Sequence, residues 1–378
     1  MLFPYKYVTH KMEKMQAFID FIFHEVWCKA PGSGPFKLEL FDGNVDLKEV
    51  MTSFFYDHTQ GGDYFYTHVE SIYGHFATLA PAQIDQFKQW YKGNNNLEKV
   101  CAKDPAAQLA RYADVAIAHK ELSEQLASFY KGLYSNSLLD LAVLREKIGE
   151  IDDHYMTFIK VNKSGKCPFC GMSDLQGEYN TTREAYDHYL PKKLYPFNSI
   201  NFHNLVPACH HCNSSYKTSK DPAYTPKDPV QATQRRKVFY PYASTSYSID
   251  MQVYLNHADI QNLAPEDIVL QFGPTTISEE IDTWKYVYGI DERYKAKILS
   301  ESDGKYWLTQ VFDEWSDDGK SPKEYLRTLT RQAKANRFAE CNFLKLAFLK
   351  GCKRAGLFPK SIWQRIYDHF ISCIKSPA

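Results

Sequence analysis

The sequence predicts an α+β protein: mainly helical regions on either side of a small centre organised by metal. Three observations point there. Apolar residues recur at helical spacing near both ends, the middle is polar and rich in Cys, His, Asn, Pro and Lys, and that middle holds two Cys-x-x-Cys pairs. With 378 residues at 44% hydrophobic composition, the chain can form two or three domains whose cores need no disulfides.

Residues 1–160 read as a helical N-terminal domain. Leu122, Leu126, Phe129 and Tyr130 fall on one helical face, as do Leu141, Leu144, Ile148, Ile151, Tyr155 and Phe158. Pro81 and Pro105 sit near helix starts, where a missing N–H costs nothing. "KAPGSGP" and "KGNNN" read as loops. Residues 161–242 are too polar to bury a core of their own, so a metal is a plausible substitute. Residues 243–378 form a mostly helical C-terminal region. There "SIDMQVYL" alternates like a strand, while "ISEEIDTWKYVYGI" and "SPKEYLRTLTRQAKANRFAECNFLKLAFLKGCKRAG" each read as a helix. His154, in the helix before the first Cys pair, reads as structural.

Bulk properties narrow the setting. Mean hydropathy is −0.47 and no apolar run approaches the ~18 residues a bilayer span requires, so no membrane partner is expected. The opening "MLFPYKYVTHKMEK" lacks a signal-peptide pattern, which leads to the expectation of a cytoplasmic protein. Five further cysteines, Cys28, Cys101, Cys341, Cys352 and Cys373, are scattered and odd in number, which fits a reducing compartment. Net charge is zero, yet Lys160 to Tyr240 holds twelve basic and six acidic residues, a hint of a polyanionic partner.

Cys167-Pro-Phe-Cys170 and Cys209-His-His-Cys212 each set two thiols two residues apart, so that one turn can offer both sulfurs to one ion. Four thiolates complete a tetrahedral Zn²⁺ shell, giving a closed structural site. Gly171 eases the tight turn after the first pair. Four unliganded buried cysteines, a redox role for one pair, or His210 or His211 in place of a Cys are the alternatives. The 38 residues between the pairs leave room for an insertion.

That insertion carries "YDHYLPK" and "HNLVPACHHCN", followed by "NSSYK". These stretches resemble the HNH endonuclease family, whose signature is a His, an Asn and a final His or Asn on a ββα-metal fold. The likeness covers about Cys167 to Lys217; the flanks resemble standalone HNH proteins of bacterial phage-defence loci, including Septu-type nucleases. The resemblance maps Asp187 and His188 onto the metal-and-base pair, Asn204 onto the middle Asn, and Asn213 onto the final position. It implies a metal-dependent endonuclease acting on nucleic acid, most simply DNA.

The chemistry agrees. A neutral imidazole can take a proton from water at pH 7, so His188 is the expected general base. Mg²⁺ or Mn²⁺ prefers oxygen donors and needs few from protein, a task for Asp187 and the Asn213 carbonyl. An Asn at the final position also favours an oxygen-liking ion over zinc for catalysis. Asn204 is expected to orient the strand bearing His188 through its amide. Adjacent strand residues point to opposite faces, so Asp187 and His188 can converge only at a bulge or a strand end. A helix beginning near Pro207 would place Cys209 and Cys212 at i, i+3, and Asn213 and Lys217 at i, i+4.

Lys192 and Lys217 are candidate phosphate contacts, with solvated surface as the alternative. Arg327, Arg331, Lys334 and Arg337 form a stripe that could grip a nucleic-acid backbone or simply face water. His203, His210 and His211 crowd the motif, and one of them could be a ligand. Two rival readings remain: a non-catalytic zinc module binding nucleic acid or protein, and a nuclease subunit active only with an ATPase partner. Double-strand cutting by one such centre would call for a homo-oligomer, a second visit or a partner.

Overall fold

The computed structural model describes residues 1–163, 165–228, 231–245 and 247–358; Cys373 lies outside them. The chain is mixed α and β, with two small antiparallel sheets among the described residues. It divides into two compact units, where the sequence suggested three regions. Of the described residues, the first comprises mainly 3–168 and 174–245, and the second mainly 247–358 with the short stretch 169–173.

The first unit is helical from Glu13 to Asn162. Its starts follow capping rules: Asn44 accepts from Leu47 N at 3.1 Å, and Thr59 Oγ1 accepts from Gly62 N at 3.2 Å. The core is aromatic. Phe23 stacks on Tyr91 with ring centroids 3.9 Å apart, and the buried Trp27 donates its indole N–H to Val69 O at 3.0 Å. The same core takes in Tyr186, Phe197, Ile200, Phe202 and Leu205 from the polar central segment. Five of the large apolar residues of the central segment are thus buried in the helical core. Phe197 illustrates the joint. It sits in a left-handed backbone conformation (φ 79°), and its ring lies 5.6, 5.2 and 5.5 Å from those of Phe23, Tyr91 and Tyr130.

The first sheet is minimal. Strand β1 (Tyr186–His188) pairs antiparallel with β2 (Leu205–Pro207), with Asp187 opposite Val206 and His188 opposite Leu205. After β2, the chain enters a π-helical segment, His211–Lys217, where the sequence suggested an α-helix starting near Pro207. The wider turn is visible in Thr218 N, which donates to Asn213 O five residues back at 3.0 Å.

In the second unit, β3 (Asp250–Leu255) fulfils the strand expectation and pairs antiparallel with β4 (Ile268–Gly273), which the sequence did not suggest. The expected helix over "ISEEIDTWKYVYGI" spans Ser278–Tyr288. The long helix expected from Ser321 onward is two, Pro322–Ala335 and Asn342–Arg354. Asn336 explains the break: its Oδ1 accepts from Ala339 N at 3.1 Å, and Glu340 and Cys341 turn left-handed. The later helix lies close on β3 because Gly351 has no side chain; a Cβ there would stand 2.5 Å from Val253 O.

Candidate metal frame and strand-end site

Cys167, Cys170, Cys209 and Cys212 are all buried, and their sulfurs lie within 4.8 Å of one another. Four sulfurs about 2.3 Å from one ion would be roughly 3.8 Å apart, so the cluster fits a tetrahedral metal such as zinc after slight contraction. The first pair is held at its backbone. Trp284 Nε1 donates to Phe169 O at 2.7 Å, and the Tyr294 hydroxyl donates to Cys170 O at 2.9 Å. Gly171 takes φ 68°, and a Cβ there would meet Leu2 at 2.5 Å, so the turn requires glycine. His210 and His211 are exposed, and neither belongs to the cluster. His203 stacks on Tyr7 at 4.0 Å, and its Nδ1 lies 2.9 Å from the Tyr240 hydroxyl. The three extra histidines therefore do not displace a cysteine.

The second cluster lies at the end of β1. His188 is half-buried, and its Nε2 lies 2.9 Å from Ser199 O. A carbonyl can only accept, so Nε2 carries the proton and Nδ1 the lone pair. Burial, reinforced by the ammonium groups of Lys192 and Lys217, pushes the His188 pKa down to about 3. The ring is therefore neutral at pH 7. The Tyr134 ring stands edge-on to it at 5.1 Å.

Asn204 is fully buried and staples the loop that follows β1. Its Oδ1 accepts from Leu190 N at 2.6 Å, and its Nδ2 donates to Leu190 O and Asn198 O, both at 3.1 Å. The amide thus fixes the backbone just beyond His188 and beside Ser199.

Asp187 and Lys217 form a pair buried almost completely, with Nζ to Oδ1 at 2.8 Å. The same ammonium donates to His188 O at 2.7 Å. The structure thus turns Lys217 inward, away from any phosphate contact, and makes it the partner of the carboxylate. Burial pushes the Asp187 carboxyl up, while Lys217 pulls it down. Its second oxygen, Oδ2, is buried with no hydrogen-bond partner. Pairing along β1 is regular, without a bulge, so Asp187 and His188 leave the sheet on opposite faces and His188 is the terminal residue.

No protein-family model matches the chain, and no significant match exists among curated proteins or solved structures.

Asn213 lies four residues before Lys217 in the π-helical segment, with its side chain half-exposed and without a hydrogen-bond partner among the described residues. Lys192 is half-buried; its Nζ donates to Lys131 O at 3.1 Å and lies 5.6 Å from the Tyr134 ring, and burial lowers its pKa. Two contributors had no sequence signal. Ser199 acts through a main-chain carbonyl, and Tyr134 comes from the distant helical region. The Asp187–Lys217 pairing could have been suspected only from opposite charges flanking the motif.

Proposed function

We propose that the chain is a metal-dependent HNH-type endonuclease that cuts DNA phosphodiester bonds, in the setting of bacterial anti-phage defence. The observation that carries the reading is the geometry of His188: Ser199 O fixes the tautomer and leaves Nδ1 to accept a proton, and a phosphate bound beside the ring would raise its depressed basicity. In this reading Nδ1 takes the proton of the attacking water while Nε2–H keeps its bond to the carbonyl. Asn204 holds the loop that supplies that carbonyl, and so keeps the ring from rotating.

The orphaned Asp187 Oδ2 is a buried oxygen in want of a cation or proton, and Asn213 carries a half-exposed amide on the helical segment that also bears Lys217. Those two residues would hold Mg²⁺ or Mn²⁺, which supplies positive charge for the phosphate oxygens and the departing alkoxide. The four cysteines would hold zinc as a closed structural site, and that ligation would fix Cys212 and with it the adjoining Asn213.

A second reading is favoured by one observation: Asp187 is already committed to Lys217 through Oδ1. A zinc module that binds nucleic acid or protein without cutting would have the same internal pair. The deciding experiment converts supercoiled plasmid to open circle with purified full-length protein in Mg²⁺ or Mn²⁺, with EDTA controls and RNA in parallel. Nicking that needs the divalent ion supports the nuclease. Binding without nicking, in the presence of cellular ATPase fractions as well as alone, supports the module.

A further inference from the structure

The strand-end site leaves one feature unused, a concentration of positive charge in the second unit. Residues 321–358 hold nine basic residues and two acidic ones, although the whole chain is neutral. The sequence stripe Arg327, Arg331, Lys334 and Arg337 does not survive as such. Arg337 turns in to bond the Ile249 carbonyl and the Ser248 hydroxyl. Instead, Lys323 and Arg327 on the helix Pro322–Ala335 line a groove of about 630 Å³ together with Lys350 and Lys353 of the helix Asn342–Arg354. All four are exposed, and none makes an ion pair or side-chain hydrogen bond among the described residues.

Two other basic residues nearby are held internally. Arg354 donates to Val253 O at 2.6 Å, and Lys345 donates to Gln310 Oε1 at 2.7 Å. Glu324, the one acid lining the groove, is spent on the helix cap: its Oε2 accepts from Ser321 N at 2.9 Å and from Ser321 Oγ at 2.7 Å. Ser321 and Thr330 add neutral donors, and Leu326 contributes an apolar surface. Residues 359–378 carry three basic residues and one acidic residue, so they offer no compensating charge. Four like charges around one concavity repel one another and gain most from a partner with several regularly spaced anionic groups.

We propose that this groove binds the phosphate backbone of duplex DNA, giving the chain a nucleic-acid contact separate from the His188 site. The choice of DNA as the polyanion rests on the nuclease reading; the charge argument does not. No base edge is read by such a surface, because lysine and arginine without fixed neighbours position a backbone rather than specify a sequence.

The test uses the full chain and a labelled 30-base-pair duplex, with affinity measured from about 50 to 200 mM salt. The variant carries Lys323→Ala, Arg327→Ala, Lys350→Ala and Lys353→Ala together; its thermal midpoint is checked against wild type. The expected result is at least about tenfold weaker binding and a log–log salt slope shallower by about 3 to 4. His188→Ala should bind like wild type, so loss of nicking in that variant and loss of affinity in the quadruple variant report on different claims. The proposal is overturned if the quadruple variant keeps wild-type affinity and slope. It is equally overturned if wild type ignores the duplex but binds anionic phosphatidylserine vesicles through these four residues.

Discussion

The four-cysteine cluster and the Asp187–Lys217 pair are both buried polar groups in the same stretch of chain, yet they place opposite demands on a cation. Four clustered thiolates would repel one another, and a bound metal such as zinc would supply the positive charge that offsets this. The aspartate already has an ammonium at 2.8 Å, and only its second oxygen remains unsatisfied. Tight, permanent metal is thus expected at the cysteines. Any metal at the strand end has to add to, or compete with, an internal cation, and so should bind weakly and exchange.

The largest expected effect comes from breaking the first half of that contrast. Cys209→Ser should release about one Zn²⁺ per chain, read by metal analysis, and destabilise the fold by more than about 4 kcal/mol. A zinc-free wild type with an unchanged melting curve would contradict the frame. Next comes the pair. Lys217→Met leaves a buried carboxylate unpartnered and should cost about 3–5 kcal/mol in chemical denaturation. Adding Asp187→Asn should recover much of that loss, and a neutral Lys217→Met would mean that Asp187 is not held by Lys217.

Asn204→Ala removes four hydrogen bonds, the weakest of them to Asn198 Oδ1, and strands the Leu190 amide, for an expected loss of about 3 kcal/mol. If the amide also positions His188, this variant loses nicking well below its melting temperature; a purely structural residue would leave the rate of the folded fraction unchanged.

The smallest effect concerns pH. His154 is buried, with Nε2 toward Val8 O and Nδ1 accepting from the Tyr186 hydroxyl, and burial pushes its pKa down to about 4. Its folded pKa lies below the unfolded value, so the unfolded chain binds the extra proton between pH 6.5 and 4. The share of stability that depends on His154 should therefore be full above pH 6.5 and fall by roughly 2–3 kcal/mol as pH drops to 4, beside the loss that His188 brings in the same window. His154→Gln should flatten that part of the melting-versus-pH curve; an equal slope in both proteins would assign the acid sensitivity elsewhere.

The contrast also explains what was readable in the sequence. The cysteine cluster was legible because its chemistry repeats one residue type at fixed spacing, and Asn204 because the motif resemblance singled it out. The inward turn of Lys217 was not, since a lysine at the end of a helical segment ordinarily faces water. The three-residue strand β1 is too short for any periodic signal. The burial of Tyr186, Phe197, Ile200, Phe202 and Leu205 in the helical core was likewise not readable, because spacing alone does not tell where such side chains pack. The break at Asn336 came from a side-chain bond competing with the helix, in a stretch whose apolar period continues on both sides.

The most direct test of the account is a nicking time course on supercoiled plasmid in Mg²⁺, wild type against His188→Ala, both zinc-loaded and of equal DNA affinity. The account predicts a rate lower by about a hundredfold or more in the variant. A variant that nicks as fast as wild type would contradict the assignment of His188 as the base, and with it the proposed cutting centre.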